Sequence, residues 1–66
     1  MTKANAEAIN LQGGNGYWTA DVGIYGTVAI TRYNGTFEAV TLGAGSSVIA
    51  ETKTLSEMVD LLAACV

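Results

Sequence analysis

Thr27-Val28-Ala29-Ile30-Thr31-Arg32-Tyr33-Asn34-Gly35-Thr36-Phe37-Glu38-Ala39-Val40-Thr41-Leu42 is the stretch that decides the fold. Two runs rich in β-branched and aromatic residues flank an Asn-Gly pair. That pair is the strongest short-range hairpin signal, because a type I′ turn needs positive φ at both central residues. A two-residue turn fixes the register. Val28 then faces Thr41, Ile30 faces Ala39 and Arg32 faces Phe37. Val28, Ile30, Phe37 and Ala39 fall on one face, and Thr31, Tyr33, Thr36 and Glu38 on the other, with Ala29 and Val40 further down. A three-residue loop bulged at Gly35 would slip the register; the version that segregates the apolar side chains is preferred.

Working outward, Tyr17 to Val22 alternates, with Trp18, Ala20 and Val22 on one side and Tyr17, Thr19 and Asp21 on the other. Gly23 and Gly26 bracket a turn around Ile24-Tyr25. The expectation is a three-strand meander over 16–23, 26–33 and 36–42. Gly43-Ala44-Gly45-Ser46-Ser47 reads as a loop, and 47–52 as a fourth strand or an extended lead into a helix. Thr54-Leu55-Ser56-Glu57 matches a capping box. Leu55, Met58, Val59, Leu62, Cys65 and Val66 continue as one apolar stripe, which predicts a helix over 54–66 with Leu61 at its margin. Before Gly13-Gly14-Asn15-Gly16, residues 4–12 read as a short helix or, the preferred reading, as an edge strand, with 1–14 in part flexible. The expected fold is α+β: one small domain, 1–66, with a three- to four-stranded antiparallel sheet and one C-terminal helix packed on its apolar face.

Composition narrows the function. The chain has 66 residues, 50% hydrophobic and only 14% charged, against about a quarter in typical domains. A domain of this size buries only roughly 60% of its unfolded surface, and such a core supplies about 3–5 kcal/mol at best. Cys65 is the single cysteine and there is no histidine, so an intrachain disulfide, a zinc cluster and a histidine-activated nucleophile are excluded. Cys65 on the helix stripe reads as a buried or part-buried structural thiol. The glycine-rich stretches lack the lysine of a phosphate loop and lead straight into no helix. Asp21 and Glu38 share a face without any sign of a pocket for acid–base chemistry. No enzyme, metal or cofactor is expected.

Three basic residues (Lys3, Arg32, Lys53) stand against six acidic ones, for a net charge of −3. That balance argues against phosphate binding and for a basic partner. Asp21, Glu38 and Glu51 fall in the sheet region; Glu57 and Asp60 fall on the helix. Met1 to Glu7 lacks the apolar run of a signal peptide, and no stretch approaches a membrane span, so a cytoplasmic protein is expected.

The residues singled out for partner binding are Tyr17, Thr19, Asp21, Tyr25, Thr31, Arg32, Tyr33 and Glu38: an acidic, tyrosine-bearing sheet face beside an arginine, itself read as a cation–π cover on Phe37 or an interface anchor. The functional expectation is a non-enzymatic protein-interaction module. By class-level analogy it would be an inhibitor of phage or mobile-element type, such as an anti-CRISPR-like protein, occupying a basic, nucleic-acid-binding surface on a host complex. Two other readings stand beside it. One is a structural homodimer through an edge strand or the helix margin Leu61, Cys65 and Val66. The other is a sheet-based nucleic-acid binder stacking on Tyr and Trp, against which the acidic balance argues.

Overall fold

Both Asn-Gly pairs turn the chain. Asn34 and Gly35 have φ of 51° and 77°, and Asn15 and Gly16 have 54° and 89°, the double positive φ of type I′ hairpins. Each pair therefore joins two antiparallel strands, and the second turn places the edge strand at residues 12–14, later than the 4–12 expected from the sequence. The structure, a computed structural model, describes residues 1–43 and 45–66. The glycine-serine loop keeps its place between strands, although Ala44 within it lies outside the described residues.

The elements in order are α1 (Lys3–Ala8), β1 (Gln12–Gly14), β2 (Tyr17–Asp21), a 3-10 turn (Gly23–Tyr25), β3 (Thr27–Tyr33), β4 (Thr36–Thr41), β5 (Val48–Thr52) and α2 (Leu55–Ala63). The strands form one antiparallel sheet in the order β1-β2-β3-β4-β5. The class is α+β, but the sheet has five strands rather than three or four, and two helices rather than one. Residues 4–12, read by preference as an edge strand, are instead helical through Ala8, and the edge strand follows at Gln12–Gly14.

The central register matches the sequence: Val28 faces Thr41, Ile30 faces Ala39 and Arg32 faces Phe37. Trp18 and Ala20 pair with Ile30 and Val28, so the apolar sides of β2 and β3 coincide. Ile9, Ala20, Val22, Val28, Ile30, Ala39, Met58, Val59 and Leu62 form the buried core, with Trp18, Phe37, Ile49, Ala50 and Leu55 packed partly buried against it. No buried polar residue interrupts it among the described residues. The shortest extent of the molecule is 18 Å, the thickness of one sheet under one layer of helix.

Thr54 caps α2: its hydroxyl oxygen accepts from the Glu57 amide at 3.1 Å. The Glu57 carboxylate accepts from that same hydroxyl at 3.1 Å, so it braces the cap side chain. The helix ends at Ala63, two residues short of Cys65. The apolar stripe therefore does not extend to the C-terminus, and Cys65 is exposed rather than buried. Thr2 caps α1 in the same way, accepting from the Asn5 amide at 3.1 Å. This short helix lies beside α2. The Asn5 side-chain amide donates to Asp60 at 2.9 Å, and the Met1 amine reaches Ser56 and Asp60. Ile9 follows α1 into the core and its carbonyl accepts from the Asp21 amide at 2.6 Å.

Candidate functional site

With both helices on one side, the opposite sheet face is left without a covering element. The strand register arranges its side chains in rows. One row crosses β2 to β5 as Tyr17, Thr31, Glu38 and Glu51, each directly opposite the next. A second row runs Gln12, Thr19, Ala29, Val40 and Val48. Tyr33 and Thr36 close the face at the Asn34-Gly35 turn; Asp21 and Thr27 close it at the other end. Ala29 is only 5% exposed in the middle, sunk between larger neighbours, while Tyr17 and Tyr33 are half-exposed or more. The face is thus a shallow dish with two tyrosines standing along the β2–β3 side.

Six of the eight singled-out residues (Tyr17, Thr19, Asp21, Thr31, Tyr33 and Glu38) share this face. Two do not. Arg32 has the parity of Val28 and Ile30 and projects on the helix side, at the hairpin end. The ring packed on Phe37 is Trp18, with centroids 5.7 Å apart and planes tilted by 50°, rather than an arginine cover. Tyr25 lies in the 3-10 turn beyond the strand ends, remote from Tyr33, beside an Ile24 that is 95% exposed. Leu61, Cys65 and Val66, the other candidate seam, are exposed at the end of α2.

Charge is distributed unevenly between the two sides. The acids of the helix side have partners: Glu7 pairs with Lys3 at 3.9 Å, Glu57 holds the Thr54 hydroxyl, and Asp60 takes the Asn5 amide and the Met1 amine. The Asn5 hydrogen bond first, and the Met1 amine second, hold the Asp60 carboxyl below its ordinary range. On the sheet face, Asp21 accepts from Thr27 at 3.2 Å and Asn10 at 3.3 Å. Glu38 and Glu51 face each other across β4 and β5, and among the described residues neither has an ion pair or a side-chain hydrogen bond. Like charges directly opposite on a sheet repel.

Glu51 is the member of this face that sequence reading placed only in the sheet region. Its position opposite Glu38 depends on β5 pairing with an irregularity between Ala39 and Val40, and no residue pattern announces that pairing. Among the described residues there is no pocket and no group of three side chains suited to a metal ion. No helix among the described residues is long and apolar enough to cross a membrane. No protein-family model, no curated protein and no solved structure matches this chain.

Proposed function

We propose that this protein is a non-enzymatic interaction module whose uncovered sheet face takes a basic surface of a partner protein. The observation that carries the reading is the Glu38–Glu51 pair: two carboxylates held opposite one another, with no cation among the described residues paired to them. Lysines or arginines of a partner would neutralise both, so the free chain's repulsion becomes binding energy and specificity. Tyr17 and Tyr33 add stiff contact area with polar tips on the same surface.

A partner whose basic patch ordinarily binds nucleic acid fits this chemistry, and occupation of that patch would make the protein an inhibitor of the phage or mobile-element type. A cytoplasmic site of action goes with that reading. Stacking of a single strand is the weaker alternative, because Trp18 is turned to the helix side against Phe37 and the acids sit where phosphates would lie.

The test is affinity capture from the cells that make the protein, comparing the natural chain with the combined Tyr17→Ala, Asp21→Asn, Tyr33→Ala and Glu38→Gln variant. All four positions are off the buried core, so the variant should keep its circular dichroism. The reading expects a captured protein with a basic surface, released by salt and absent from the variant's eluate. Equal capture by a folded variant would remove the face assignment.

A further inference from the structure

The two edges of the sheet are built differently. β1 is three residues long and two of them are Gly13 and Gly14, so it offers little to pair with. β5, Val48-Ile49-Ala50-Glu51-Thr52, is five residues long, and no strand follows it in the sheet. It carries no proline, and its one charge is Glu51; Lys53 follows just beyond it, and the irregularity with β4 falls at its start, so Ala50 to Thr52 is the regularly paired stretch. Its outward backbone N–H and C=O groups are therefore a template for another strand.

We infer that β5 receives an extended segment of the partner protein as a sixth strand, in which lysine or arginine alternates with apolar residues. The inference rests on the basic-partner reading above and names the form that the partner takes. The alternation follows from the two sides of the edge. On the open face, a residue placed opposite Glu51 lies next in the row Glu38–Glu51, so a cation there is one strand, about 4.8 Å, from Glu51 and relieves the pair through it. On the other face, α2 lies over β4 and β5. Its Ser56 and Asp60 bond to Met1 and Asn5 on the α1 flank. At 100° per residue Leu61 falls on the opposite flank, the one toward the β5 edge. It is 46% exposed, and it sits six residues, or about 9 Å, along the helix from Leu55. Apolar side chains of an added strand would cover it.

A second copy of this chain is the wrong occupant. Pairing β5 with itself sets Glu51 of both copies along one seam and joins two chains of net charge −3.

The experiment follows amide hydrogen exchange and ¹H–¹⁵N spectra of the full chain with three blocked seven-residue peptides: lysine alternating with valine, glutamate alternating with valine, and the first composition with its lysines and valines segregated. The inference expects the lysine–valine peptide alone to slow exchange of alternate amides within 48–52. Glu51→Lys should weaken that peptide about tenfold, by losing an attraction and gaining a repulsion, while admitting the glutamate–valine peptide. Because Glu51→Lys gives Glu38 an opposite charge, the variant should remain folded. Shifts on Tyr17, Thr31 and Glu38 without protection of the β5 amides would overturn the edge and leave the face reading standing. Slowed β5 exchange that grows with protein concentration and needs no peptide would show self-pairing and overturn it too.

Discussion

Replacing Glu38 by glutamine should make the protein more stable. Glu38 and Glu51 are cross-strand neighbours, and a directly opposed pair is worth about 0.2–1 kcal/mol, unfavourable when the charges are alike. Glutamine keeps the size and removes the charge. For a domain of 60–100 residues, 1 kcal/mol moves the melting temperature by roughly 4–8 °C, so a mid-range gain of about 0.5 kcal/mol should appear as about 2–4 °C. The assay is thermal or urea unfolding followed by far-ultraviolet circular dichroism, at low and high salt. Added salt screens exposed charges, so the gain should shrink as salt rises. The two substitutions should also be non-additive: once Glu38 is neutral, Glu51→Gln has little repulsion left to remove. Glu7→Gln is the control for lowering net charge in general, and it loses the Lys3 pair. Unchanged or reduced stability of Glu38→Gln at low salt would refute the reasoning, because the carboxylates would then already be compensated within the free chain.

Three further outcomes follow from the fold. Gly13→Ala should cost about 1–3 kcal/mol in urea unfolding, since Gly13 has φ of 114° and a methyl there collides with the Tyr17 carbonyl oxygen. Met58→Ala, at a fully buried position, should cost about 2–5 kcal/mol, a loss that leaves a core this small largely unfolded at 37 °C by circular dichroism. The lowered Asp60 carboxyl is a folded-state pKa below the unfolded one; its contribution is present at neutral pH and is lost as pH falls through the folded value. Acid titration should therefore loosen α1, read from the Asn5 and Ala6 amide signals, and Asp60→Asn should flatten that dependence.

The hairpin at the centre was legible because one dipeptide and two alternating runs fix both the turn and the register. The same signal stands at Asn15-Gly16, but Gly13 and Gly14 before it have no side chains to alternate, so the edge strand was read too early, over 4–12. Gly13 answers a steric demand made by β2, which is visible only in three dimensions, whereas a Cβ at Gly14 would meet nothing. Helix α1 stood only as the second choice for a different reason: six residues are too few to show a period, and Ile9, its link to the core, lies just beyond it. The stripe of α2 was read correctly through Leu62 and too far beyond, since periodicity continues in the residue types after the backbone has left the helix at Ala63. Of the candidate face, six residues follow from parity alone. Tyr25 was read correctly in the turn between Gly23 and Gly26, but the 3-10 turn that carries it lies beyond the strand ends and so off the face. Glu51 was under-read because its partner is set by an irregular β4–β5 register.

The most direct test of the central claim is a ¹H–¹⁵N titration of the protein with a blocked hexa-arginine peptide, a basic probe with no strand pattern of its own. The account predicts salt-sensitive shifts gathered on Tyr17, Thr31, Glu38 and Glu51, with Glu7, Glu57 and Asp60 on the helix side little changed. Shifts gathered on those helix-side acids, or none on the sheet face at low salt, would contradict it.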